Sequence, residues 1–144
     1  AVMLLVDDNG LERTKAILNQ ESELLGLSGG MLDMRNLMLD PSEDSAFVTE
    51  HFCYWSLRHD GSVVAVMEGV DAFAFTGGIG ENTLGVRTRI SRGLEWTGVR
   101  MNPEANHRND VRLQAESYKI RACEIPGKEE QMIAADELTL MGAT

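Results

Sequence analysis

The densest set of residues able to do chemistry is Thr76-Gly77-Gly78-Ile79-Gly80-Glu81-Asn82, placed directly after the apolar run Val70-Asp71-Ala72-Phe73-Ala74-Phe75. Glycines let a backbone pass close to a ligand, and the free N–H groups of a following helix favour an anion or a polar ring edge. The stretch is not a Walker A loop, because no Gly-Lys-Ser/Thr follows it. It also fails as a dinucleotide fingerprint: Thr83 stands where the third glycine belongs, and no strand ends in an acid about 20 residues later. From its residues alone the segment reads either as a nucleotide site or as a structural turn. His51, His59 and His107 are scattered and lack metal spacing. His59-Asp60 does not make an acid/base pair, since adjacent residues on a helix point apart. Cys53 and Cys123 sit in no CxxC, so buried, reduced thiols are expected and a zinc cluster is not.

The elements that would hold the glycine segment follow from pattern. Val70–Phe75 is a buried strand, the glycines form a tight loop, and a helix runs from about Glu81 to Leu94. Upstream, Asp7-Asp8-Asn9-Gly10 reads as a turn that caps a helix over Leu11–Gln20. Leu24–Gly30 ends in a flexible Ser28-Gly29-Gly30 loop, and a short helix follows near Met31–Leu39. Pro41-Ser42-Glu43-Asp44 starts a long helix, with a Ser cap and two acids at the positive end of the dipole. Gly61 is a candidate kink in it, and Phe52 and Trp55 are core residues. Downstream, Met101–Asp110 is polar and turn-rich. Ser117–Ile125 is a second strand with Tyr118, Ile120 and Ala122 on one face and Lys119 and Arg121 on the other. Pro126-Gly127 leads into a last helix, Glu129–Leu140. Helices, strand, helix, strand, helix is an α/β order poor in strands.

Composition narrows the partners. The 144 residues are 43% hydrophobic and 25% charged, ordinary for a soluble globular chain, and carry a formal net charge of −10 with no basic run. That balance argues against a nucleic-acid backbone or an anionic membrane as partner. The opening Ala1-Val2-Met3-Leu4-Leu5-Val6 lacks a basic flank and is too short to span a bilayer, which gives a cytoplasmic reading. A chain opening on Ala1 rather than Met reads as a fragment or a processed product.

Three ordered stretches give the sequence a family likeness. Phe75-Thr76-Gly77-Gly78-Ile79-Gly80-Glu81-Asn82, followed by Val86-Arg87, resembles the adenosine-side loop of acetate and propionate kinases. Leu18-Asn19-Gln20-Glu21-Ser22 through Leu25-Gly26-Leu27-Ser28-Gly29, then Asp33-Met34-Arg35, is similar to the segment that precedes that loop. Ile125-Pro126 with Glu129-Glu130 and Ile133-Ala134 resembles the family's C-terminal Mg²⁺-binding motif. The likeness spans nearly the whole chain and is least diagnostic over Met101–Asp110.

The resemblance implies an α/β fold: residues 1–144 as the C-terminal, nucleotide-binding portion of an actin-like, ribonuclease H-like ATPase domain, with an incomplete sheet and surrounding helices. It assigns Gly78, Ile79, Gly80, Glu81 and Asn82 to an adenosine pocket for ATP or ADP, with Asp33, Met34 and Arg35 as a second wall. An aspartate can accept from a ribose, Met is a pliant apolar surface and a guanidinium can lie against a base. Without that ligand, Asp33 and Arg35 are a solvated surface pair of little energetic weight. Glu129 matches the family's Mg²⁺-associated glutamate, and Mg²⁺ commonly takes one or two protein carboxylates with waters and phosphates. Its alternative role is a first-turn acid serving only its helix. The family usually has Thr-Asn before this glutamate; here Gly127-Lys128 places a cation beside the metal ligand. Family members transfer the γ-phosphoryl group of ATP to a short-chain carboxylate and form homodimers through this portion. Their acid-binding pocket and catalytic arginines and histidines lie upstream of the matched segment, so no catalytic residue is assigned here and the chain alone is expected to be inactive. A nucleotide-binding or dimerisation module without activity, or a scaffold that has lost the nucleotide, are the alternatives.

Overall fold

A computed structural model describes residues 2–20, 23–31 and 33–128, together with 132, 133, 135 and 137. The chain divides into two compact units, Ala1–Val63 and Val64–Thr144.

The first unit is helical: α1 (Val2–Asn9), α2 (Leu11–Gln20), α3 (Glu23–Ser28), α4 (Met34–Leu39) and the start of α5 (Glu43–Val66). Asp7, Asp8 and Asn9 are helical rather than part of a turn. Gly10 alone makes the turn, since its φ of +75° is one that glycine reaches without strain. Its N–H donates to the Val6 carbonyl while its own carbonyl accepts from Thr14 N–H, so one residue ends α1 and starts α2. The Thr14 hydroxyl donates to Leu5 O at 2.9 Å and ties the two helices together.

The Ser28-Gly29-Gly30 loop is pinned, not free. Ser28 Oγ accepts from Met31 N and donates to Met31 O, at 2.8 and 2.7 Å. The Ser42 cap is borne out: Ser42 Oγ accepts from Ser45 N at 3.2 Å, with Glu43 and Asp44 in the first turn of α5. Gly61 causes no break, and α5 continues to Val66. It stops where Glu68 takes a left-handed φ of 57° and Gly69 N–H reaches back to Val64 O at 3.0 Å.

Trp55 is not a core residue. It is 39% exposed and forms a ladder along α5 with Phe47, His51 and His59, and Arg58 lies 4.6 Å over its ring. The i, i+4 spacing stacks these rings on one stripe, and the buried stripe is carried instead by Val48 and Cys53.

The second unit holds β1 (Ala72–Phe75), α6 (Gly77–Asn82), α7 (Leu84–Gly93), a 3₁₀ turn (Glu95–Thr97), α8 (Pro103–Arg108) and β2 (Arg121–Glu124). Val86, Ile90, Leu94, Val99, Ala105, Leu113 and Ala122 form its core. β1 and β2 pair in parallel, with Ala72 opposite Arg121 and Phe75 opposite Glu124. The outer edge of β2 is covered by the 111–114 segment: Leu113 N–H donates to Ala122 O, and Glu124 N–H to Val111 O. Among the described residues β1 has no strand on its other edge. It is also less buried than its apolar sequence suggests, with Phe73 and Phe75 half-buried and Ala72 and Ala74 exposed.

Two expectations fail here. The second strand is shorter than 117–125, because Tyr118 N–H turns back to Ala115 O and keeps 116–120 out of the ladder. The turn-rich stretch 101–110 contains a helix. Asn102 Oδ1 caps it by accepting from Glu104 and Ala105 N–H, Pro103 occupies the first turn, and Asn109 ends it in the left-handed region. The expected last helix starts at Glu129, outside the described residues; 132, 133, 135 and 137 are helical.

Candidate nucleotide site

Parallel strands deliver their following segments to the same end of a sheet, which is where α/β proteins bind ligands. Here the segments are α6 after β1, and Ile125-Pro126-Gly127-Lys128 after β2. The ladder is extended by Ile125 N–H donating to Phe75 O at 2.9 Å. Beyond it, the Glu81 carboxylate accepts from Gly127 N–H at 2.7 Å. Two of the three stretches that carried the family likeness are thus joined by the Ile125–Phe75 hydrogen bond, and the Gly127–Glu81 bond reinforces that junction.

The glycine segment is itself a helix, not a loop leading into one. The break comes at Thr83, between α6 and α7. Glycine is a poor helix former, so the six residues depend on contacts outside their own ladder. Asn82 Nδ2 donates to Gly78 O at 2.9 Å, and Thr83 N–H to Ile79 O.

Each glycine has its own reason, or none. Gly77 has φ +72°, which disfavours a side chain. At Gly80 a Cβ would stand 3.2 Å from the backbone carbon of Phe75, so the close seat of α6 on the end of β1 favours glycine. At Gly78 a Cβ would meet nothing within 4 Å, and its φ is not positive. Packing among the described residues does not explain the missing side chain there.

The main support of α6 is Arg87, a residue that sequence reasoning noticed only as part of a motif string. It is fully buried, at 0% exposure. Nη1 donates to Gly80 O at 2.8 Å and Glu81 O at 2.6 Å, the carbonyls at the C-terminal end of α6. Nε donates to Asn106 Oδ1 at 2.7 Å, and Nη2 to Asn106 O at 3.2 Å and Asn109 Oδ1 at 2.5 Å. Asn106, itself buried, donates onward to Leu84 O and Thr88 Oγ1. Burial pushes the Arg87 pKa down, with the Glu124 charge opposing. The signal for Asn106 and Asn109 was present in Asn102-Pro103, a cap followed by a first-turn proline, which marks the helix that presents them.

Asp33-Met34-Arg35 belongs to the first unit. Asp33 caps α4, accepting from Arg35 N–H at 2.8 Å, and its carboxylate also pairs with the Arg35 guanidinium at 2.6 Å. Hydrogen bonds from the Arg35 side chain, then its backbone N–H, hold the Asp33 carboxyl below its ordinary pKa. Both side chains are exposed, whereas Met34 is 1% exposed. Glu129 lies outside the described residues. Among the described residues no group of three His, Cys, Asp or Glu side chains could hold a metal ion. No helix among them is long and apolar enough to cross a membrane.

Residues 2–135 match the family model described as the acetokinase family. The chain belongs to that family. It is 35% identical over 125 residues to the acetate kinase of Rickettsia prowazekii, covering 87% of this chain and 32% of that relative. Among solved structures, it is similar to the acetate kinase of Porphyromonas gingivalis, with a TM-score of 0.79, 26% identity, and coverage of 97% and 37%. It is also similar to a propionate kinase from Francisella tularensis, with a TM-score of 0.78, 26% identity, and coverage of 92% and 36%. This acetokinase-family chain therefore spans about a third of the length of the relatives it matches. Its fold is the expected one: part of an actin-like ATPase domain, rich in helices and carrying a small parallel sheet.

Proposed function

We propose that these residues form the nucleotide side of an ATP-dependent acetate or propionate kinase. A carboxylate oxygen attacks the γ-phosphorus of ATP, the bond to the β-phosphate oxygen breaks, and acyl phosphate and ADP result. The observation that supports this reading best is Gly78, a position where side-chain space is open, yet a side chain is missing. In this reading the exposed backbone of α6 faces the adenosine, with Ile79, Gly80, Glu81 and Asn82 completing that wall. Asp33 and Arg35 would contact the same nucleotide with Met34, 1% exposed, backing them from the interior, and Glu129 would help hold a Mg²⁺ that offsets phosphate charge. Mg²⁺ commonly needs only one or two protein carboxylates, with waters and phosphates completing its shell.

Phosphoryl transfer also needs cationic groups on the transferring group and a pocket for the acid. We place these in the part of the relatives that this chain does not match. The 144 residues alone are then expected to bind Mg·ATP in a calorimetric titration and to form no acyl phosphate in a hydroxamate trap. Silence in the titration would favour a scaffold role. Turnover proportional to this chain, and lost in Glu129→Ala, would show the transfer groups to be present after all.

A cytoplasmic location and a homodimer complete the proposal. The edge of β1 that has no strand beside it among the described residues supports association, because unpaired strand edges recruit other chains. Sedimentation across a range of concentrations should show dimers or larger species; a compact monomer throughout would refute association.

A further inference from the structure

Resting on the nucleotide reading above, we propose that Arg87 is a positioning residue for nucleotide binding, acting from the interior through Gly80 and Glu81 without touching the ligand. α6 is too short and too rich in glycine to hold a direction by itself. Arg87 supplies the direction, gripping both C-terminal carbonyls of α6 with Nη1. The grip is fixed in turn by Asn106 and Asn109, which belong to α8 and its C-terminal cap. The consequences reach the site at two points. The clamp sets how the backbone at Gly78 is presented, and it aims the Glu81 carboxylate at Gly127 N–H.

Only a guanidinium meets this geometry, because its planar fork carries five donors and a lysine offers three from one point. A buried cation with no carboxylate in hydrogen-bond contact is a costly way to fill space. Its donors all go to neutral oxygens of the glycine helix and of the two asparagines, so its distinctive contribution is orientation.

Asn109 gives the cleanest test, because its left-handed backbone (φ 58°) suits glycine and tolerates aspartate. In the whole kinase carrying this chain, Asn109→Gly removes one acceptor from Nη2. It should raise KM for ATP about threefold, the scale of one modest hydrogen bond, while KM for the carboxylate stays unchanged. Asn109→Asp restores the acceptor and should recover the lost affinity. Arg87→Lys, if it folds, should raise KM for ATP about tenfold, again without moving KM for the acid. If Asn109→Gly leaves KM for ATP unchanged, or raises both constants equally, the positioning role is wrong. Gly78→Val separates the two layers. If it weakens ATP while Asn109→Gly does not, only the clamp fails; if it too leaves ATP binding unchanged, the nucleotide reading fails.

Discussion

Arg87→Met should lower the free energy of unfolding by about 3 kcal/mol, the upper range for a single substitution. Met matches the length of the arginine stem, so little of the loss is cavity. What disappears is the guanidinium donor to each of Gly80 O, Glu81 O, Asn106 Oδ1 and O, and Asn109 Oδ1, although Asn106 O still accepts from Asn109 N–H. A buried acceptor left without a donor costs about 1–3 kcal/mol, and those nearest the surface recover part of this from water. Glu124, at 6% exposure, also loses the opposing charge of Arg87. Against this stands the relief of no longer burying a cation, which keeps the expected net below the sum of the parts. Urea unfolding measures the result through the shift in midpoint at constant slope. A loss under about 1 kcal/mol would mean that the acceptors find other donors and that the network holds little.

Gly78→Val should behave in the opposite way, sparing the fold and cutting ATP affinity by about tenfold or more. A Cβ there would meet no other described part of the chain within 4 Å beyond its own helix, and the backbone is not left-handed. Val is also a better helix former than Gly by a few tenths of a kcal/mol, so the urea midpoint should hold or rise slightly. The same change at Gly80 would drive a branched side chain into Phe75 and damage the fold first. If adenosine approaches the Gly78 backbone, valine takes its space, and a clash of that kind costs about 1–3 kcal/mol. Calorimetry with Mg·ATP on the folded variant decides it. Unchanged affinity would reduce the glycine segment to a turn that happens to be open.

What the sequence disclosed depended on whether a signal was local. The Ser42 cap, the Leu11–Gln20 helix and the glycine segment after an apolar run all rest on residues a few positions apart. The family likeness supplied the candidate site residues, and the parallel ladder adds that α6 and Gly127 share one end of the sheet. Arg87 was harder to read. A charged residue is expected on a surface, and its burial is explained only by acceptors spread over 6 to 22 positions, Asn106 and Asn109 the farthest. The glycine segment read as a loop because propensity disfavours helix there, and those distant partners override it. Trp55 misled for the converse reason: a large aromatic on a helix is expected in the core, yet here it stacks with its own neighbours along α5.

The parallel ladder also constrains the order in which the second unit can be built. Residues 72 and 121 face each other in register, yet α6, α7 and α8 all lie between them. No tight turn can bring parallel neighbours together, and closing so long an intervening chain costs entropy before the first ladder bond repays it. The α7–α8 contacts and the Arg87 network span much shorter stretches, and their formation shortens the loop still to be closed. Nucleation therefore belongs to the helices and the strands zip late, an order that pulsed hydrogen exchange at the Arg121 and Ile125 amides reads directly. The end of the sheet, where Glu81 meets Gly127, is then expected to mature last, so the proposed nucleotide site would form only after the helices.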